Sequence, residues 1–254
     1  MKAGSACVDG VVTDLANAKL PVWDEAFLSG WTVFETLRVE NGVPLYLDRH
    51  LLRLERSAAS AEVPMPKWKR LMEEVEEVLQ GWLSLGRLRI TLTGSGRRVV
   101  TVEPLDPAVV NGPVRVSMAL GAWDPALGPT VKHGNRMGWN LLLKRSGGDD
   151  LLLTDSKVLV ESVRGAVWAV IDGELWTPPE DQRSLPSISR AVIVERAQRL
   201  GIGVRRDYPP LQGWDALYIS SSVRDLCPVV ELDGRPLSGL ERIGRALSVG
   251  VVQP

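Results

Sequence analysis

Cysteine and histidine are scarce: the 254-residue chain holds two of each. Cys7 and Cys227 stand far apart and outside any CxxC or metal-ligand spacing, which suits a reducing compartment and reads most simply as two buried small hydrophobes. His50 and His133 have no second ligand at helical spacing, so no zinc or other metal site is expected. Net charge is also lacking, with 30 basic against 31 acidic residues, so no overall field draws the protein to nucleic acid or an anionic membrane. Any anion must be held by local geometry. No apolar stretch follows the start MKAGSACVDG, and no later run approaches the length of a membrane span. A cytoplasmic protein without membrane or nucleic-acid partners is the expectation, and neither repeats nor low-complexity segments interrupt it.

Hydrophobic residues make up 44% and charged residues 24%, an ordinary globular composition on a chain long enough for one large domain or two smaller ones. Asn41-Gly42, Asp172-Gly173 and Asp233-Gly234 each sit between apolar or β-branched runs, a strong hairpin signal that predicts largely antiparallel pairing. The first hairpin should join 31–39 to 43–46, after which Asp48 can cap a helix through LLRLERSAASA. A second, amphipathic helix follows Pro66 in KWKRLMEEVEEVLQGWL. The strands RLRITLT and RVVTVE come next, separated by Gly94, Ser95 and Gly96, and complete an α+β layer.

Between Pro104 and Pro113 the run PLDPAVVNGP is rich in turn formers and lacks a period, which predicts a linker and two domains, 1–110 and 111–254. The second half should carry strands near 114–120, 150–154, 157–163, 166–171 and 174–177, then a helix opened by Pro186 and Ser187 that stops at Gly201.

Several residues could carry chemistry. Ser187 can cap a helix whose free amides, with the Ser189 hydroxyl, favour an anion, and Ser220 to Ser222 form a second cluster of short donors after a strand. Each alone is more often a plain cap or a solvated turn. Arg53 lies among leucines, where its planar fork suits a phosphate if that face looks into a cleft, or is a surface arginine. Glu161 ends the apolar run KVLVE, either needing a partner or standing in water at a strand end. Lys132, in a stretch with few charges, is either solvated or a partly desolvated amine able to attack a carbonyl.

Taken in order, DEAFLSGWTVFETLRV, HLLRL, LRITLTGSG, VKHGNR, VLVES, LPSISR and ISSSVRDLCPV resemble the fold type IV pyridoxal phosphate (PLP) enzymes, spanning roughly residues 24 to 230. That class holds branched-chain aminotransferases, D-amino-acid aminotransferases and aminodeoxychorismate lyases. The resemblance implies a fold of class α+β, with an N-terminal α/β sandwich and a C-terminal PLP-binding pseudo-barrel, usually as a homodimer. Nine tryptophans offer aromatic surface for such an interface. It puts the Schiff-base lysine and proton shuttle on Lys132, the glutamate facing the pyridine nitrogen on Glu161, and the phosphate on Arg53, Ile188, Ser189 and Ser222. Arg136, four residues after the lysine, would approach the ring oxygen.

Within that class KHGNR and Thr36 are more similar to the aminodeoxychorismate lyases, where a threonine assists proton transfer. Arg89 aligns with a basic residue near the lyase substrate, with Arg38 or Arg87 as helpers. The implied activity is elimination of pyruvate from 4-amino-4-deoxychorismate to give 4-aminobenzoate, on a substrate bearing amino and carboxylate groups that suit arginine forks. The alternatives are a branched-chain or D-amino-acid aminotransferase and a non-catalytic PLP-binding protein. Where the family has YGDGVFET this chain has SGWTVFET, so Ser29, at the substrate side, Trp31 and Thr32 depart from the pattern. Ser187 and Ala166 replace a common glycine and asparagine, and the stretch after LTGSG is short.

Overall fold

The computed structural model describes residues 4–121, 124–237 and 242–248. Backbone contacts divide the chain into one unit of Met1–Asp106 with Asp124–Arg136 and a second of Pro107–Trp123 with Met137–Pro254. The division differs from a single cut at residue 110, because 124–136 pairs back onto the first unit. Among the described residues, no helix is long and apolar enough to cross a membrane.

The first unit runs β1 (Ser5–Val8), β2 (Val11–Asp14), α1 (Glu25–Leu28), β3 (Thr32–Glu40), β4 (Val43–Pro44), α2 (Leu47–Ser60), α3 (Trp68–Leu79), β5 (Gly86–Thr93) and β6 (Arg98–Pro104). Its strands form one antiparallel sheet in the order β2-β1-β6-β5-β3-β4. Asn41 and Gly42 both take positive φ (51° and 80°), the geometry that matches a tight hairpin to strand twist. On β3 the side chains of Val33, Leu37 and Val39 join Leu51, Leu54 and Ala58 of α2 and Leu71, Val75 and Val78 of α3 in a closed core. Fully burying a leucine such as Leu51 or Leu54 contributes about 2 kcal/mol, so this layer holds β3 firmly.

Two boundaries differ from the sequence reading. Helix α2 opens at Leu47, with Tyr46 in the left-handed conformation (φ 56°) as its N-cap, and Asp48 lies in the first turn rather than at the cap. There its charge still complements the helix dipole. Helix α3 ends at Leu79 because Gly81 turns left-handed (φ 69°) and the Trp82 N–H bonds the Leu79 carbonyl (2.8 Å), driving the indole into the core.

The second unit runs α4 (Pro107–Asn111), β7 (Val114–Leu120), α5 (Met137–Ser146), β8 (Asp150–Thr154), β9 (Leu159–Ser162), β10 (Ala166–Ile171) and β11 (Glu174–Thr177). It continues with α6 (Ile188–Arg199), β12 (Val204–Arg206), β13 (Ala216–Ser220), β14 (Cys227–Leu232), β15 (Arg235–Pro236) and α7 (Arg242–Ser248). The short helix α4 occupies the stretch expected as linker, opened by Pro107, whose missing N–H costs a first turn nothing. The main path is β12-β11-β10-β13-β14-β7-β8-β9. Ser162 and Gly165 exchange backbone hydrogen bonds (2.9 and 3.2 Å), which returns the end of β9 to the start of β10 and gives the sheet its barrel-like form.

Pairing remains largely antiparallel, as the hairpin signals predict, but β11 with β12, β14 with β7, and β7 with β8 are parallel. Parallel neighbours need long crossovers, and the chain supplies them through α6 between β11 and β12 and through 121–149 between β7 and β8. Strand β10 is buried on both faces, Val167 and Ala169 in one cluster and Trp168 and Val170 against Ile193 and Ala197 of α6. That is why its sequence, AVWAVI, is an unbroken apolar run. The chain is therefore α+β, with a barrel-like second unit.

Candidate active site

In the first unit the lysine segment uses an edge that β4 leaves open. Strand β4 pairs only with Val39 and Glu40, so Thr32 to Phe34 keep free backbone groups. These are taken by 132–134: the Phe34 N–H donates to the Lys132 carbonyl (3.0 Å) and the Gly134 N–H to the Thr32 carbonyl (2.8 Å), around a bridge between Val33 and His133. From the helix side, the Lys132 N–H donates to Ser57 Oγ of α2 (3.1 Å). Any side chain at position 134 would overlap Thr32, so the segment lies flat only with glycine there. Lys132 is thus fixed from both sides.

Its amine lies 4.8 Å from the centre of the Phe34 ring and has no carboxylate ion-pair partner among the described residues. Burial, then the charges of Arg53, Arg136 and Arg89, bring its pKa down to about 7 against a weaker pull upward from Glu35. An uncharged, nucleophilic amine is therefore well populated near neutral pH.

Register places Thr36 opposite Arg89, Arg38 opposite Arg87 and Phe34 opposite Thr91, so all six side chains share the face of the sheet turned from the core. Arg38 is ion-paired to Glu40 (2.8 Å) and Arg87 to Glu103 (2.7 Å). Arg89 instead stacks 3.7 Å from the Phe34 centroid, and its Nε donates to Thr91 Oγ1 (3.1 Å). Among the described residues it has no carboxylate partner; burial, and then the nearby charges of Arg136 and Arg87, lower it to about 10. Arg136 is half-buried at the end of the returning segment.

On the opposite face of β3 the sequence reading missed Glu35. Its carboxylate, fully buried, accepts from Arg53 Nε and Nη2 (both 2.7 Å) and from His50 Nδ1 (2.6 Å). Burial would raise its pKa, but Arg53 and His50 overcome that and hold it at about 2. Burial lowers His50, so the ring is neutral with its proton on Nδ1, leaving Nε2 buried without a hydrogen-bond partner. A carboxylate amid Val33, Leu37 and Val39, together with His50 and Arg53 one turn apart on α2, was the available signal. Arg53, expected to grip phosphate, thus has its fork set by Glu35.

Ser29 is placed apart from this group. Its hydroxyl donates within its own turn to Glu25 (2.9 Å to the carbonyl, 2.8 Å to Oε2), and it lines a cavity of about 450 Å³ with Trp31, His133 and Asn135.

In the second unit, Glu161 on β9 is half-buried, and its Oε2 accepts the Leu185 N–H (3.3 Å). Ser187 caps α6 by accepting the Arg190 N–H (3.2 Å), leaving Ile188 and Ser189 in the first turn as expected. Ser189 Oγ lies 3.0 Å from Ser187 Oγ and 3.2 Å from Ser220 Oγ, and Ser220 accepts Trp168 Nε1 (3.0 Å). The two serine clusters meet through Ser220, while Ser222, half-buried two residues further on, follows in the turn. Any side chain on Gly165 would overlap the Ser220 carbonyl, so glycine permits this close approach.

The donor set fits PLP. It offers an amine with a lowered pKa for an aldehyde, a half-buried carboxylate for a ring nitrogen, and hydroxyls beside first-turn amides for a phosphate. The profile of the family described as Amino-transferase class IV matches residues 32–232. A Methanocaldococcus jannaschii protein, provisionally assigned as a branched-chain-amino-acid aminotransferase, is 30% identical over 91% of this chain and 88% of its own. The bifunctional aminodeoxychorismate lyase / D-amino acid transaminase of Mycobacterium tuberculosis is 27% identical over 91% of each. Among solved structures, the PLP-bound form of a hypothetical Mycobacterium tuberculosis aminotransferase shares the fold, with a TM-score of 0.82, 22% identity and 96% of each chain covered.

Proposed function

The chain belongs to the class IV aminotransferase family of PLP-dependent enzymes, and we propose that it acts as an aminodeoxychorismate lyase, releasing pyruvate and 4-aminobenzoate from 4-amino-4-deoxychorismate. The observation that carries this reading is Arg89: on the face of Thr36, it is the one of Arg38, Arg87 and Arg89 that makes no ion pair with a carboxylate among the described residues. A substrate with two carboxylates would supply one, and the arginine fork suits it.

Bound PLP supplies an electron sink conjugated to the substrate amine. The chain's residues do the rest. Lys132 Nζ would hold the cofactor and then take the proton from the carbon that bears the amine as the neighbouring C–O bond to the enolpyruvyl group breaks, a proton that leaves with the pyruvate and that its lowered pKa lets it accept near neutrality. Glu161 would keep a proton on the ring nitrogen, Ile188, Ser189 and Ser222 would receive the phosphate, and Arg53, aimed by Glu35, would add charge there. Arg136 would serve the ring oxygen. Thr36 Oγ1 assists proton transfer toward the leaving group. Trp23, Phe27, Leu28 and Trp31 are exposed close together in sequence, an apolar surface that suits a homodimer.

The second reading is a D-amino-acid or branched-chain transaminase, which uses the same lysine and glutamate. It draws on the relatives, one of which carries both activities in its name. Incubation with chorismate and an aminodeoxychorismate synthase separates the two. The lyase yields 4-aminobenzoate. Conversion of the cofactor to its amine form by D- or L-amino acids, without aromatic product, would overturn the lyase in favour of the transaminase.

A further inference from the structure

Arg190 stands in the first turn of α6 and is 3% exposed, yet among the described residues no carboxylate pairs with it. Its fork is spent on one stretch of backbone. Nη1 donates to the carbonyls of Pro178 (2.7 Å) and Pro179 (3.3 Å), and Nη2 to Ser184 Oγ (3.2 Å) and the Leu185 carbonyl (3.4 Å). The stretch, PPEDQRSLPS, has prolines at 178, 179 and 186, which donate no hydrogen bond and cannot be organised by a strand ladder. Its outer half is tied to the surface, where Tyr208 donates to Asp181 (2.6 Å) and Arg183 pairs with Asp155. Its inner half is held by Arg190.

Leu185 links this to the site. Its carbonyl accepts from Arg190, and its N–H donates to Glu161 Oε2 (3.3 Å). We propose that Arg190 is a positioning residue that fixes the 178–185 segment so that the Leu185 amide orients the Glu161 carboxylate toward the cofactor's ring nitrogen. The proposal rests on the reading of Glu161 given above. If Arg190 only filled space, an apolar residue would do so without burying an unpaired cation, whose burial also lowers its pKa. Lysine cannot replace it, since one ammonium does not span carbonyls at both ends of a segment. The Leu185 amide, at 3.3 Å from Oε2, fixes the direction in which that carboxylate points.

The test compares wild type with Arg190→Met, Arg190→Lys, Glu161→Gln and the Glu161→Gln/Arg190→Met double variant. It reads PLP affinity, the pH titration of the bound cofactor's absorbance, and hydrogen exchange of the Leu185 amide in the apoprotein. Arg190→Met should weaken PLP about tenfold, speed Leu185 exchange and shift the absorbance in the direction that Glu161→Gln does, with Arg190→Lys no better. In the Glu161→Gln background it should add little. An equal loss in both backgrounds, or an unchanged absorbance and exchange, would overturn the proposal. Unchanged absorbance in Glu161→Gln overturns the underlying reading instead, whereas a shift there with none in Arg190→Met overturns only the role of Arg190. Should Arg190→Met not fold, Leu185→Pro, which deletes the amide donor, must produce the same shift, and its absence overturns the proposal.

Discussion

The two units handle polar groups in opposite ways. The first sets charge against charge: the buried Glu35 carboxylate pairs with Arg53 beside the His50 ring, and the Lys132 amine feels the charges of Arg53, Arg136 and Arg89. The second keeps a largely buried ion pair, Arg196 with Asp225, but around the first turn of α6 it uses neutral groups, hydroxyl against hydroxyl at Ser189 and Ser220, with Arg190 held by carbonyls. Charge packed against charge shifts pKa values, which proton transfer needs; neutral donors fixed by backbone hold a ligand in place without titrating. On this reading the first unit carries the reactive chemistry and the second anchors the cofactor.

Removing the amine breaks the contrast most severely. Lys132→Ala should lower kcat about 1,000-fold and replace the Schiff-base absorbance with that of the free aldehyde, while leaving noncovalent PLP binding that dialysis removes. Next in size, Glu35→Gln leaves Arg53 buried without its anion, so denaturant unfolding should show about 3 kcal/mol lost, with PLP bound more weakly. The same carboxylate sets an acid limit. Its folded pKa is depressed to about 2, so its stabilisation is full above the ordinary carboxylate range and fades as pH falls through that range toward 2. Glu35→Gln should flatten that part of the stability profile.

Much of this contrast was legible in the sequence, though unevenly. Lys132 and Glu161 were singled out through the ordered motifs the chain shares with a family, and the Ser189 and Ser220 clusters through caps and strand ends, which are local signals. Strands β1 and β2 were missed although Asp9-Gly10 joins them with the same positive φ pair (52° and 89°) as the hairpins that were read. The return of 124–136 to β3 has no local signature, since it depends on an edge left open by the two residues of β4. Parallel pairing in the second unit was likewise hidden, because crossovers are long-range and hairpin signals are not. Glu35 was overlooked because FETLR reads as an ordinary strand until α2 is folded against it.

Smaller effects sharpen the comparison. Arg89→Gln should raise KM about 30-fold for a carboxylate substrate with PLP affinity unchanged; weakened PLP binding would move Arg89 to the cofactor side. In the second unit Asp150 is a buried carboxyl without an ion-pair partner among the described residues, pushed up to about 6 by burial, against its bonds to the Leu151 N–H and Ser162. A raised folded pKa means full stability below the unfolded value and a loss as pH rises through about 6. Asp150→Asn should therefore gain about 1 kcal/mol above pH 6 in denaturant titrations and nothing below pH 4.

The reactive amine is tested most directly by reducing the PLP-loaded protein with borohydride, which fixes the cofactor to the lysine that bears it, and mapping the peptides by mass. The expected result is one cofactor on the peptide containing Lys132, with the rate of uptake by apoprotein rising with pH and levelling above about 7. Label on another lysine, or none, would contradict the assignment.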